Sequence, residues 1–290
     1  MIVCDNFRDV CSGCREVYLS ALRVCPGRAS DYSFANLYGW ASHYGLKWRR
    51  EGGLVWIRQT RPVDVFWAPV GDWRGADWES FECLRGPAKF IRVPEELVAI
   101  WRNVFGARVS AVESRDDFDY VYSLPELVAL EGGRFHKKKN LLRQFEKNYV
   151  SEYSPLTEDA VGEVLEMQGE WLSRQEPSAA LVAENEAVRR VFGVYAGAGL
   201  LGGVLRVDGR IVAYTVAERL FGDTLVIHFE KGDTRFKGVY QAINQRFLAA
   251  SGAGCAFVNR EQDVGDEGLR RSKMSYNPAS FVRKYTVTFA

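Results

Sequence analysis

The sequence predicts an α+β protein of two tandem domains, each a mixed, mostly antiparallel sheet with flanking helices. Three observations lead there. A chain of 290 residues has reached the length at which one hydrophobic core gives way to two. The second half changes its hydrophobic period from about two to about 3.6 and back in a definite order. The first half repeats that order less regularly, so duplication rests on element order alone.

In the second half, Leu201 to Val207 and Ile211 to Glu218 are strand-like runs joined by Asp208-Gly209, a dipeptide that supplies the positive φ of a tight hairpin turn. After Gly222-Asp223, the β-branched run Thr224 to Phe229 fits the buried centre of a sheet. From Gly238 the period becomes helical, with Val239, Tyr240, Ile243, Phe247 and Leu248 on one face until Ser251-Gly252 ends it. Cys255 to Val258 reads as a strand, Asn259 to Lys273 as a polar loop with a short helix, and Val282 to Phe289 as a last strand of β-branched and aromatic residues.

The first half reads as a helix from about Ser33 to Tyr44, strands at Leu54–Arg58 and Val63–Pro69, a helix near Trp78 and a strand at Lys89–Val93. A helix from Glu95 to Phe105 leads to a strand at Val109–Glu113, Tyr120–Tyr122 is one more short strand, and a helix runs from His136 to Tyr149. The boundary is expected near Ser151 to Pro155, giving domains 1–150 and 151–290, the second carrying the site.

Composition excludes several classes. Apolar residues at 47% and charged residues at 26% support a packed core rather than a disordered chain. A net charge of +1, from 38 basic and 37 acidic residues, rules out a surface that is basic throughout, so any anion site is local. The sequence has no apolar run of membrane-spanning length and no secretory leader, which points to the cytoplasm. Cys4, Cys11, Cys14 and Cys25 then read as reduced thiols. Cys11-Ser12-Gly13-Cys14 has the spacing of half a zinc site without the other half, so no metal is expected.

Gly197-Ala198-Gly199-Leu200-Leu201-Gly202 satisfies G-x-G-x-x-G, but a hairpin follows it where a dinucleotide site needs a helix. Chemistry is better placed after the strand ending His228-Phe229-Glu230. There Lys231 to Lys237 lead into the helix at Gly238, whose N-terminal amides and dipole can seat a phosphate; a solvated basic turn is the plainer reading. A second polar cluster follows a buried strand: Asn259, Arg260 and Glu261, then Arg270, Lys273 and Tyr276, either a site or a salt-bridged loop. A third is Lys137-Lys138-Lys139 with Arg143 and Lys147, able to hold a phosphate, a lipid headgroup or an RNA end, or to be a solvated helix start.

Five runs carry a resemblance: Tyr32-Ser33-Phe34-Ala35-Asn36-Leu37-Tyr38, Phe135-His136-Lys137-Lys138-Lys139-Asn140, His228-Phe229-Glu230-Lys231, Gly238-Val239-Tyr240-Gln241-Ala242-Ile243-Asn244 and Asn259-Arg260-Glu261-Gln262-Asp263. The chain resembles, from about Tyr32 to Tyr285, a bacterial family of unknown function related to the C-terminal domain of phosphatidylglycerol lysyltransferase. That resemblance implies a tandem GNAT-like (acyl-CoA N-acyltransferase) pair, a fold shared with peptidoglycan enzymes that take amino acids from aminoacyl-tRNA. It implies transfer of an acyl or aminoacyl group to an amine or hydroxyl, with no tightly bound cofactor. Arg235 and Gly238 match the R/Q-x-x-G-x-G/A loop that holds coenzyme A in GNAT enzymes; Tyr240 departs from it.

The donor is then expected along the strand ending at Glu230, its phosphates near Arg235, Lys237 and Gly238. Glu230 or Glu261 is the candidate base and Tyr276 or Lys273 the candidate acid. An aminoacyl-tRNA 3′ end as donor predicts a basic groove from Lys137–Arg143 to Arg270–Lys273. Acyl-coenzyme A predicts a narrow cleft beside Gly238. A catalytically inactive binding module predicts a blocked cleft with paired charges. The acceptor, whether small molecule, peptide or lipid headgroup, leaves no signature.

Overall fold

The computed structural model describes residues 6–290; Cys4 lies outside them. Two compact units share the chain. The first comprises the chain to Asp119 with Gln262–Gly265 and Val282–Ala290, and the second comprises Tyr120–Glu261 with Asp266–Phe281.

The first unit is built on a seven-stranded sheet in the order β1-β2-β3-β4-β5-β14-β6. Its strands are β1 (Arg8–Asp9), β2 (Lys47–Glu51), β3 (Leu54–Gln59), β4 (Val65–Val70), β5 (Ala88–Pro94), β6 (Val109–Glu113) and β14 (Lys284–Phe289). Helices α1 (Arg15–Leu22), α2 (Phe34–Gly39), α3 (Ala41–Tyr44) and α4 (Glu95–Phe105) accompany it. Trp56, Trp67, Trp73, Trp101 and Phe90 are fully buried; large aromatic rings supply much of this core's apolar area. Within it, the Lys284 ammonium bridges Asp31 and Asp119, the latter at 2.6 Å. Burial works against all three charges, and the pairing holds Lys284 above its ordinary value.

The second unit's seven-stranded sheet has the order β13-β7-β12-β11-β10-β9-β8. Its strands are β7 (Asp119–Ser123), β8 (Ser151–Pro155), β9 (Leu201–Val207), β10 (Arg210–Leu220), β11 (Thr224–Gly232), β12 (Phe257–Asn259) and β13 (Ser280–Val282). Helices α5 (Leu124–Ala129), α6 (His136–Asn148), α7 (Val161–Ser173), α8 (Ala179–Phe192), α9 (Val239–Ser251) and α10 (Glu267–Met274) complete it. The hairpin turns at Asp208 and Gly209, both at positive φ, as the dipeptide requires. Val239, Ala242, Ile243, Phe247 and Leu248 of α9 are buried in a core that includes Tyr122, Phe135, Phe145, Leu225 and Ile227.

Several expectations are corrected. The last strand breaks at Arg283, and β14 joins the first unit between β5 and β6, where Val287 and Phe289 are buried. Tyr120–Tyr122 belongs to the second sheet, paired with β12. Residues 151–155 form β8, a strand bonded to β9, and the compact units part at Asp119–Tyr120. The helix over 33–44 is two, α2 and α3, meeting at Trp40. The sequence pass also missed α7 and α8, and β2, whose charged residues read poorly as a strand. Near Trp78 there are two short 3₁₀ turns, Trp78–Ser80 and Glu82–Leu84, in place of a helix. Among the described residues, no helix is long and apolar enough to cross a membrane.

Candidate active site

The second sheet opens where its two parallel neighbours part. β11 and β12 are in register at Thr224–Phe257, Leu225–Val258 and Val226–Asn259. Beyond Asn259 the chain turns away, while β11 continues to Gly232. On its other edge β11 carries a bulge: Val216 faces Phe229 and Ala217 faces Ile227, which leaves His228 as the inserted residue. Bulges redirect side chains and leave the ladder locally unmade. Parted parallel strands leave backbone N–H groups free for a ligand carbonyl.

Arg260, the first residue past β12, reaches back to β11. Its Nη2 donates to Glu230 Oε1 at 2.9 Å. Glu230 Oε2 accepts from Asn244 Nδ2 of α9 at 3.0 Å and Thr215 Oγ1 of β10 at 3.2 Å. Three donors from three elements therefore fix one carboxylate, which is well buried. Burial works against the Arg260 charge, but Glu230 and the neighbouring Tyr276 and Tyr122 hold it above the ordinary arginine value. Arg260 Nη1 is buried without a hydrogen-bond acceptor of acceptable geometry, which costs free energy unless a ligand completes it.

Tyr276, just past α10, sits under two cations. The Arg260 guanidinium lies 4.8 Å and the Lys138 ammonium 4.0 Å from its ring centre, distances at which cations are attracted to an aromatic face. Its hydroxyl accepts from Gln241 Nε2 at 2.9 Å. Burial holds this phenol above its ordinary value, against the opposing pull of Arg260. Lys138 is half-buried; burial, reinforced by the Arg260 charge, draws it down to about 8.

Beside this group stands a buried row of charge. His228 Nδ1 meets Glu261 Oε1 at 2.8 Å and His228 Nε2 meets Glu218 Oε1 at 2.9 Å. Burial alone would lower the histidine, but hydrogen bonds and charge from both carboxylates raise it to about 9. The imidazole is therefore a cation at neutral pH, engaged at both nitrogens. Glu261 takes a positive φ, and its backbone N–H is held by Asn259 Oδ1 at 2.8 Å. Lys273 donates to the Arg260 carbonyl at 2.6 Å.

Glu230, Arg260, Tyr276, Lys138, Lys273, Asn259 and Glu261 thus come together. The phosphate-loop residues do not join them. Lys231 points to the opposite face, bonded to both Glu184 oxygens at 2.8 Å and 4.2 Å above the Trp171 ring. Arg235 is paired with Asp233, which Arg174 also reaches at 3.0 Å, so a carboxylate occupies the place where a phosphate was expected. Gly238 has φ +90, and a Cβ there would lie 2.2 Å from the Leu141 carbonyl oxygen; this glycine serves helix packing. Tyr240 packs beside Gly232, and Lys237 is exposed. Of the lysine run, Lys137 is exposed and Lys139 is half-buried on α6, while Arg270 lies on α10. Cys11 and Cys14 are free thiols in the first unit.

Sequence reading missed Thr215, Glu218, His228, Gln241 and Asn244. Their signal was present: Glu218 and His228 are polar residues buried within β10 and β11, and Asn244 follows Ile243 on the buried side of α9, where it is 2% exposed.

Comparison with known proteins fits this architecture. A conserved protein of unknown function from Bacteroides thetaiotaomicron matches over 98% of this chain and 99% of its own, at 27% identity and a TM-score of 0.88. L-PGS from Bacillus licheniformis matches over 94% of this chain and 91% of its own, at 14% identity and a TM-score of 0.60, which establishes a shared fold. An uncharacterised protein of Mycoplasmoides gallisepticum is 23% identical over 171 residues, 58% of this chain and 55% of that protein, so the match spans about half of that relative. The profile described as phosphatidylglycerol lysyltransferase, C-terminal, matches residues 23–288, and the chain belongs to that family.

Proposed function

We propose that the protein transfers an aminoacyl group from its ester on the 3′ end of a tRNA to an amine or hydroxyl acceptor. Family and fold support an acyl or aminoacyl transferase. The observation that carries the finer reading is the gathering of Arg260, Lys138 and Tyr276 against Glu230 at the mouth where β11 and β12 part. Free backbone N–H groups of β11 would polarise the ester carbonyl there. Arg260, anchored by Glu230, would set its guanidinium charge against the oxygen that gains charge.

Acyl-coenzyme A is the weaker donor. Its pyrophosphate would have to displace Asp233 from Arg235 and fit against a glycine already backed onto α6. A non-catalytic binding module finds its support in the Arg260–Glu230 bridge across the opening, which leaves the enzymatic reading to be tested by binding. The purified protein is titrated with a mixed pool of aminoacylated tRNA and, separately, with acetyl-coenzyme A, each at two salt concentrations. Salt-sensitive tRNA binding without saturable coenzyme A binding is expected; the reverse pattern would overturn the reading.

A further inference from the structure

We propose that Lys138 is the proton carrier of the transfer, taking the proton that the attacking amine or hydroxyl gives up and returning it to the leaving ribose oxygen. The inference rests on the aminoacyl-ester reading above. Helical phase is its first support. Phe135, Lys138, Leu142 and Phe145 follow one another at spacings of three and four, the repeat of one helix face, and the three apolar members are buried. Lys138 is therefore the lysine of its run that α6 turns inward, toward Tyr276.

Its surroundings are the second support. No carboxylate pairs with Lys138 among the described residues; the groups facing it are the Arg260 guanidinium and the Tyr276 ring. Gln241 of α9 is engaged with the Tyr276 hydroxyl. On its own helix His136 meets Asn140 at 3.0 Å, and Arg134, one turn back, is paired with Glu126 of α5. A lysine short of counter-charge, half-buried beside a second cation, favours its neutral amine. That shift, to about 8, places it where a proton can be both taken and returned near neutrality.

The other candidates are engaged. Glu230 is held by three donors, Glu261 by the His228 cation, and Lys273 by the Arg260 carbonyl. In the step itself the nucleophile bonds to the carbonyl carbon and the ester carbon–oxygen bond breaks. The proton lost by the nucleophile passes through Lys138 Nζ to the 2′- or 3′-oxygen of the tRNA, so Lys138 ends as it began and no further reactant is needed.

Two readouts on the full chain test this. Competitive labelling of Lys138 with acetic anhydride across pH, read by peptide mass spectrometry, is independent of turnover. A midpoint near 8 is expected, and one near the ordinary lysine value of about 10.4 would overturn the proposal. Transfer from radiolabelled aminoacyl-tRNA to ethanolamine, glycylglycine or phosphatidylglycerol vesicles supplies the second. Lys138→Gln should lower the rate by about 10²–10⁴-fold. Lys138→His should restore part of it, with the inflection of the pH profile moved down toward about 6.5, a shift that repair of packing alone would not give. Full transfer by Lys138→Gln would sink the proton carrier and leave aminoacyl transfer standing. No transfer by the wild type to any acceptor would overturn both.

Discussion

Arg260 and Glu230 meet at 2.9 Å across the opening that forms where β11 and β12 stop pairing. The pair is largely buried, and removing one partner from such a pair leaves an uncompensated charge in a site with little water. Arg260→Met and Glu230→Gln are each expected to cost about 3–5 kcal/mol in urea unfolding. The double variant should lose well under the sum; additive losses would show that the two do not act as a unit.

His228 gives the second unit a pH dependence of definite sign. Its folded value of about 9 lies above the ordinary 6.5, so the stabilisation is complete below about 6.5 and is lost as pH rises through about 9. A shift of this size corresponds to at most about 3 kcal/mol. Unfolding curves between pH 6.5 and 9 should show the decline in the wild type and a flatter line in His228→Gln.

Gly238→Ala combines a positive φ with a Cβ placed 2.2 Å from the Leu141 carbonyl oxygen. Backbone strain of this kind costs about 1–3 kcal/mol before any clash is counted, so a thermal shift of several degrees downward is expected. An unchanged melting temperature would mean that α6 and α9 do not approach as closely as the packing requires.

In the first unit, Lys284→Met leaves Asp31 and Asp119 without the ammonium between them, although Arg92 still reaches Asp31. A loss of about 3–5 kcal/mol is expected by chemical denaturation. Lys284→Met with Asp119→Leu should recover part of it, since removing both members of a buried pair is often nearly neutral.

Much of the fold was legible because its signals are local. The hairpin at Asp208-Gly209 and the apolar stripe of α9 depend on neighbours within a few residues, and both appear where the sequence placed them. The partner of β14 was not legible. Which sheet takes the last strand depends on Phe90, Trp101 and Val109, far away in sequence. At the candidate site the polar cluster after β12 was visible as unusual polarity, and Glu230, Arg260, Lys273 and Tyr276 do gather. Lys137, Lys138 and Lys139 are chemically identical, and only the phase set by Phe135 and Phe145 separates them. Arg235 looked available for phosphate because nothing in sequence required Asp233, two residues back, to fold onto its guanidinium.

The most direct test of the central claim is a single-turnover assay with the full chain and a pool of radiolabelled aminoacyl-tRNA, offered ethanolamine, glycylglycine or phosphatidylglycerol vesicles, with acetyl-coenzyme A run in parallel. Transfer of label from tRNA to one of these acceptors, reduced in Arg260→Met and absent with acetyl-coenzyme A as donor, is the expected result. Acetyl transfer from coenzyme A, or no enzyme-dependent loss of the aminoacyl ester with any acceptor, would contradict it.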